Sequence, residues 1–97
     1  LLLLDEPVAS LDLKSREETI RVIGNYAASP HAPAIVMVTH HLEEIPSGFT
    51  HAAIMLDGRI FAAGEIDSTI TSEKLSEAYG LGLTVEKAGG RFSVRHH

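Results

Sequence analysis

The first seven residues, Leu1–Pro7 (LLLLDEP), constrain the fold of this chain more than any other stretch. Four consecutive leucines cannot alternate between core and solvent, so they predict a short strand buried on both faces, as in parallel sheets covered by helices. Pro7 has no N–H and a fixed φ, which ends the strand. Asp5 and Glu6 therefore stand at the carboxyl end of the predicted strand, where open α/β sheets bind ligands.

Composition excludes several classes of protein. The chain has 97 residues, of which 44% are hydrophobic and 22% are charged, and these values are typical of a folded domain. Its net charge of −5 argues against a nucleic-acid binder that works by neutralising phosphates. It has no cysteine, which excludes disulfides, thiolate zinc sites and thiol catalysis. Because the sequence starts with Leu inside a strand, we expect a fragment of a longer protein.

The residues after Pro7 predict a helix. Asp12 is a suitable N-cap, and apolar side chains recur at helical spacing from Leu13 to about Ala28. Glu17 and Arg21, four residues apart, predict an ion pair on the exposed side of this helix. The apolar stripe on its buried side consists of Leu13, Ile20, Ile23 and Ala27.

A second apolar run, residues 34–39 (AIVMVT), predicts another buried strand. Strand, helix and strand in this order form a βαβ unit, whose strands are parallel and whose crossover is right-handed. His40 and His41 follow the second strand, so they should lie at the same sheet edge as Asp5 and Glu6. Neighbouring strands are about 4.8 Å apart, so these side chains should be within several Å of one another.

Two hairpins and a helix are predicted for the rest of the chain. Asp57-Gly58 lies between two apolar runs, which is a strong signal for a two-residue hairpin turn. The stretch Ala88–Gly90 predicts a second hairpin. Between them, Ser72–Tyr79 predicts a helix that ends at Gly80. Its candidate N-cap is Ser72, and an earlier candidate N-cap is Asp67.

The acids and histidines at the predicted edge allow more than one interpretation. Adjacent strand residues point to opposite faces, so Asp5 and Glu6 have different roles: one suits a hydrated Mg²⁺, the other a reacting water. Alternatively, they only end a strand in a solvated loop. Adjacent His40 and His41 also diverge, and without cysteine or an H-E-x-x-H pattern a zinc site is disfavoured. The acidic pair Glu43-Glu44 is expected on a solvated helix face.

Taken together, these motifs resemble those of the ATP-binding cassette (ABC) ATPases. Leu1–Pro7 resembles the Walker B motif, Ala9–Asp12 the D-loop, and Val38–His40 the H-loop with its switch histidine. The hairpin around Asp57-Gly58, with Gly64 after it, resembles the one in transporter-type members. Three motifs in the right order, with a helix and a strand between them, make the resemblance specific.

The resemblance implies an α/β fold, namely a partial P-loop-NTPase-type sheet made of a parallel βαβ unit plus a β-hairpin. Residues 1–64 would form the C-terminal part of the nucleotide-binding domain. Residues 65–97 would form an accessory extension with a small helix and a hairpin, similar only to the variable C-terminal extensions of such subunits.

The resemblance also implies a role for each matching residue. Asp5 would bind Mg²⁺ through its waters, as the metal- and cofactor-binding residue. Glu6 would be the general base or polariser for the water that attacks the γ-phosphate of ATP, and His40 would contact that phosphate and align the water. His41 matches no catalytic position. The residues at the interface with a second nucleotide-binding subunit would be Ser10, Leu11 and Asp12.

ATP and Mg²⁺ are the implied cofactors, and the implied partners are a second nucleotide-binding subunit and a transmembrane permease, with no nucleic acid. The implied location is cytoplasmic, on the inner face of the cell membrane. The 97 residues contain no G-x-x-x-x-G-K-S/T loop, glutamine loop or L-S-G-G-Q signature. We therefore expect the full-length protein to hydrolyse ATP for transport and the 97 residues alone to be inactive.

Three alternatives remain open on sequence grounds. The first is a non-transport ABC ATPase that acts in translation or DNA repair. The second is an unrelated α/β domain with a divalent-metal hydrolase site at Asp5, Glu6 and His40. The third is a non-catalytic regulatory or dimerisation segment in which residues 65–97 are the active part.

Overall fold

The computed structural model describes every residue from Leu1 to His97 and contains six strands and three helices. The strands are β1 (Leu2–Asp5), β2 (Ile35–Val38), β3 (His51–Leu56), β4 (Arg59–Glu65), β5 (Leu83–Ala88) and β6 (Arg91–His96). The helices are α1 (Leu13–Ala27), α2 (Ile66–Thr69) and α3 (Ser72–Tyr79), with one 3-10 turn at Leu42–Glu44. The strands pair as three two-stranded sheets, β1–β2, β3–β4 and β5–β6. Each helix is too short or too polar to cross a membrane.

The chain divides into two compact units. The first consists of Leu1–Phe49 and Ala88–Phe92, so it includes the tip of the last hairpin. The second consists of Thr50–Lys87 and Ser93–His97. This structural division differs from the predicted functional boundary between residues 64 and 65, which stays a prediction.

The first unit contains the predicted βαβ arrangement. β1 and β2 are parallel neighbours, in a register that runs from Leu2 opposite Ile35 to Asp5 opposite Val38. Asp12 caps α1 as predicted, because its Oδ1 accepts a hydrogen bond of 2.8 Å from the backbone N–H of Ser15. The crossover helix therefore begins directly after the loop that follows β1.

The predicted burial of the two strands is wrong for this chain. The side chains of Leu3 and Val36 are 64% and 47% exposed, and Leu13 of the predicted helix stripe is 68% exposed. A two-stranded sheet with one crossover helix has too little covering structure to enclose both faces. The core of this unit lies elsewhere, and its most buried apolar side chains are Val8, Ile20, Pro46 and Phe92.

In the second unit, the β3–β4 hairpin turns at Asp57-Gly58 as predicted. Both turn residues have positive φ, 52° for Asp57 and 75° for Gly58, as a type I′ turn requires. The register shifts between Ile54 and Met55, which marks a β-bulge. The core of this unit consists of Ile54, Ile66, Thr69, Ile70, Leu75 and Ala78.

The helix α3 has the predicted bounds but a different N-cap. The side chain of Thr71, not Ser72, accepts the hydrogen bond from the Lys74 backbone N–H, at 3.2 Å. Ser72 Oγ instead accepts a hydrogen bond of 2.8 Å from the Val85 N–H, so a contact with β5 replaces the predicted cap. Gly80 ends the helix in the left-handed conformation, at φ 66° and ψ 29°, as predicted.

Candidate functional site

The candidate site begins where β1 ends. The backbone N–H of Glu6 donates a hydrogen bond of 2.8 Å to the Val38 carbonyl, which extends the parallel ladder one residue beyond Asp5. Glu6 then adopts a φ of +47°, in the left-handed region that residues other than glycine rarely occupy. Such strain clusters at functional sites, where the surrounding structure holds it in place.

His40 follows β2 and approaches Glu6 at the same edge of the sheet. Its Nε2 lies 3.8 Å from Glu6 Oε1, which is longer than a hydrogen bond and becomes an ion pair only when the imidazole is protonated. The His40 side chain is 78% exposed and the Glu6 side chain 37% exposed, so both can reach a ligand. The juxtaposition expected from the parallel βαβ unit is therefore present.

Asp5 is exposed at the end of β1, opposite Val38. The carboxylates of Asp5 and Glu6 are oxygen donors of the kind that suits Mg²⁺ when phosphate oxygens and waters supply its other ligands. No group of three or more His, Asp or Glu side chains is arranged to hold a metal ion with protein ligands alone. The two carboxylates therefore fit a hydrated Mg²⁺ whose remaining ligands are waters and phosphate oxygens.

The loop between β1 and α1 is anchored by one side chain and exposed elsewhere. Val8 is 1% exposed, and its carbonyl accepts a hydrogen bond of 3.2 Å from the Leu11 N–H. The hydrogen bond from the Ser15 backbone N–H lowers the pKa of Asp12 below its usual value. The three residues predicted to face a second subunit are all exposed: Ser10, Leu11 and Asp12.

Sequence reasoning missed a polar contact directly beside His40. Thr39 Oγ1 donates a hydrogen bond of 2.5 Å to Glu44 Oε1 and accepts one of 3.0 Å from the His41 N–H. Glu44 is only 4% exposed, so the prediction of a solvated Glu43-Glu44 face is wrong for Glu44. No ion pair or hydrogen bond joins the His41 ring to Asp5 or Glu6. The sequence signal that could have predicted this hydrogen bond is a hydroxyl residue at a strand end followed five residues later by a carboxylate.

The second missed residue is Arg91, at the tip of the β5–β6 hairpin. Its Nη1 and Nη2 donate to Glu17 Oε1 and Oε2 at 2.8 and 3.2 Å. Glu17 therefore pairs with Arg91, and with Arg16 at 3.3 Å, in place of the predicted Arg21. The hydrogen bonds from Arg91 lower the pKa of Glu17 most, and the contact with Arg16 lowers it further.

Comparison with known proteins places the chain among ATP-binding proteins of transporters. No family model matches it. It is 43% identical over 76 residues to an uncharacterised ABC transporter ATP-binding protein, YlmA, of Bacillus subtilis, with 78% of this chain covered. It is 39% identical over 84 residues to the hemin import ATP-binding protein HmuV of Roseobacter denitrificans, with 87% covered. It is also 39% identical over 75 residues to the thiamine import ATP-binding protein ThiQ of Vibrio parahaemolyticus, with 77% covered.

The chain spans 29% to 31% of the length of these curated relatives. Among solved structures it matches an ABC transporter in an inward-facing conformation, with a TM-score of 0.72 and 21% sequence identity. That match covers 98% of this chain and 38% of the solved chain. At this identity the likeness concerns the fold, and it agrees with the predicted α/β architecture.

Proposed function

The chain belongs to the family of ABC transporter ATP-binding proteins, and we propose that its β1–β2 edge positions the water that attacks ATP. The observation that supports this most is the approach of His40 Nε2 to within 3.8 Å of Glu6 Oε1. Each residue follows the end of one of two parallel neighbouring strands, the edge at which such sheets bind ligands.

In this proposal Glu6 is the general base or polariser for the attacking water, and His40 contacts the γ-phosphate and aligns that water. Phosphoryl transfer requires little covalent chemistry from the protein, so catalysis depends on position and on charge. Asp5 would hold Mg²⁺ through its waters, and the bound ion would neutralise phosphate charge. Asp5 and His40 are exposed and Glu6 is partly exposed, which supports these roles because each side chain must reach a ligand.

The exposed loop before α1 is proposed to face a second ATP-binding subunit. Val8 anchors the loop, while Ser10, Leu11 and Asp12 are exposed beside it. Leu11 is 41% exposed, so its side chain is accessible to a second subunit.

We propose that the full-length protein hydrolyses ATP to drive transport, together with a transmembrane permease at the cytoplasmic face of the membrane. The names of the curated relatives support transport over a role in translation or DNA repair. Two of those names specify import, of hemin and of thiamine respectively. Import is therefore the proposed direction, and the two different cargoes leave the substrate of this chain open.

The 97 residues alone are proposed to be inactive. They include the edge that would act on the attacking water, but no G-x-x-x-x-G-K-S/T loop to hold the phosphates. Turnover of ATP by the purified 97-residue chain, with loss of that turnover in Glu6→Gln, would contradict this part of the proposal.

Substitution of Glu6 in the full-length protein tests the proposed function. Glu6→Gln keeps the shape of the side chain and removes its basicity, so ATP should still bind while turnover falls by about 100-fold or more. Glu18→Gln is the matched control, because Glu18 is an exposed glutamate of α1 in the same compact unit. Equal turnover in Glu6→Gln and the parent protein would refute the proposal.

A further inference from the structure

The tip of the β5–β6 hairpin sits tightly on the segment that follows β2, within the first compact unit. Ser47 Oγ donates a hydrogen bond of 3.2 Å to the Gly89 carbonyl. A Cβ atom on Gly90, which has a φ of +78°, would lie only 2.8 Å from Ser47 Oγ. Glycine at this position therefore allows the close approach of the hairpin tip to Ser47.

Arg91, the next residue, joins two separate segments through the ends of its side chain. Its guanidinium makes the two hydrogen bonds to the Glu17 carboxylate, and Nη2 also donates to the backbone carbonyl of Glu43. The paired geometry is the strong bidentate form of an arginine–carboxylate contact. Nε of Arg91 is enclosed without a hydrogen-bond partner. A buried N–H without a partner lowers the stability of the folded state. The hydrogen bonds of Nη1 and Nη2 therefore hold the Arg91 side chain in place despite this cost.

The two segments that Arg91 joins both lead directly from the candidate site. Glu17 lies in α1, whose N-cap is Asp12 of the exposed loop. Glu43 lies in the 3-10 turn that begins two residues after His40. The hydrogen bond from Thr39 to Glu44 fixes that turn to the end of β2. Each segment is only a few residues from the site, so a shift of the 3-10 turn should move His40 and a shift of α1 should move the exposed loop.

We propose that Arg91 is a positioning residue for ATP hydrolysis. By bridging Glu17 and the Glu43 carbonyl, it holds the segment after His40 and the helix after Asp12 at the spacing that the reaction requires. This inference rests on the proposed function, which assigns roles to His40 and Asp12. Reaction rates fall steeply when reacting groups are displaced by fractions of an ångström, so loss of the bridge should lower kcat. Arg91 contacts no substrate in this proposal, so the KM for ATP should change little.

The test measures steady-state ATP hydrolysis by the full-length protein that contains this segment. Arg91→Ala should lower kcat by about five-fold while the KM for ATP stays within about two-fold, since a charge-assisted contact of this kind is lost. Arg91→Lys keeps the charge but cannot bridge both partners, so its kcat should be intermediate. Arg95→Ala is the matched control, because Arg95 lies on the same strand and makes an ion pair with Glu86 of the same hairpin. It should retain the parental kcat.

Glu17→Gln gives a milder variant in case Arg91→Ala does not fold. It weakens one end of the bridge and should lower kcat in the same direction. Combined with Arg91→Ala, it should lower kcat no further than Arg91→Ala alone, because both changes remove the same interaction. Additive losses would contradict the inference, as would a parental kcat in folded Arg91→Ala or in folded Glu17→Gln.

Glu6→Gln, measured in parallel, separates this inference from the proposed function. If Glu6→Gln is inactive while Arg91→Ala retains the parental kcat, the positioning role of Arg91 is wrong and the proposed function stands. If Glu6→Gln retains full turnover, the proposed function itself is wrong. A loss of kcat in Arg95→Ala equal to that in Arg91→Ala would show a general effect of the hairpin and would also overturn the inference.

Discussion

The Thr39 hydroxyl and the Glu44 carboxyl group are joined by a hydrogen bond of 2.5 Å directly beside His40. Thr39 directly follows β2, and Glu44 lies almost fully buried in the turn after it. Two residues that sequence reasoning treated as a strand end and a solvated face thus form one polar contact. This contact fixes the path of the chain on both sides of the histidines.

Removal of the Thr39 hydroxyl should destabilise the protein. Thr39→Val leaves the buried Glu44 oxygen without its donor, and we expect the free energy of unfolding to fall by about 1 to 3 kcal/mol. Thr39→Ser keeps the hydroxyl and should cost less than Thr39→Val. The measurement is urea unfolding of the parent and both variants. An unchanged stability in Thr39→Val would show that Glu44 is satisfied in another way.

The cap of α1 should depend on pH. Because the Ser15 N–H lowers the pKa of Asp12, the cap stabilises the fold above the ordinary carboxyl pKa of about 3.9. That contribution is lost as the pH falls through the lowered pKa of the folded state. The amide proton of Ser15, followed by NMR, should titrate with a midpoint below that ordinary value.

Asp12→Asn provides the control for this titration. Asparagine is also a good N-cap and has no charge in this range, so the helix should remain and the titration of the Ser15 amide should disappear. A Ser15 amide that still titrates in Asp12→Asn would assign the effect to another group.

Two neighbouring glycines test how tightly the hairpin tip is seated. Gly89 and Gly90 both have positive φ, 59° and 78°, so alanine at either position should cost about 1 to 3 kcal/mol of stability. Only at Gly90 does the added Cβ approach another residue, Ser47; at Gly89 it meets nothing within 4 Å. We expect Gly90→Ala to be about 1 kcal/mol more destabilising than Gly89→Ala.

Replacement of Ser47 checks the origin of that difference. Ser47→Gly removes the side chain that the Gly90 Cβ would meet, so it should reduce the gap between the two alanine variants in thermal unfolding. Equal costs of Gly89→Ala and Gly90→Ala in the parental background would contradict the close packing of the tip.

The sequence predicted the parts of this structure that depend on local pattern and chain topology. Two apolar runs and a helical spacing between them were sufficient to predict the parallel βαβ unit. The topology of that unit was sufficient to predict that His40 lies near Glu6. The pair Asp57-Gly58 was sufficient to predict the hairpin turn, because few residues tolerate the positive φ that the turn requires at both positions.

The features that the sequence did not predict depend on contacts between distant segments. The exposure of Leu3 depends on how much structure covers the sheet, which the apolar run itself does not encode. Arg91 and Glu17 are 74 positions apart, so no helical or strand periodicity connects them. Glu44 is buried because of where its turn lies, whereas its spacing in the sequence suggested a solvated face.

Two adjacent histidines permit the most direct test of the central claim, that the edge containing Glu6 acts on ATP. His40 lies 3.8 Å from Glu6, whereas the ring of His41 makes no ion pair or hydrogen bond with it. The measurement is the steady-state ATP turnover of the full-length protein with His40→Ala and, separately, with His41→Ala. We predict a loss of about 100-fold or more for His40→Ala and near-parental turnover for His41→Ala. Equal turnover in the two variants, or a larger loss in His41→Ala, would contradict the account.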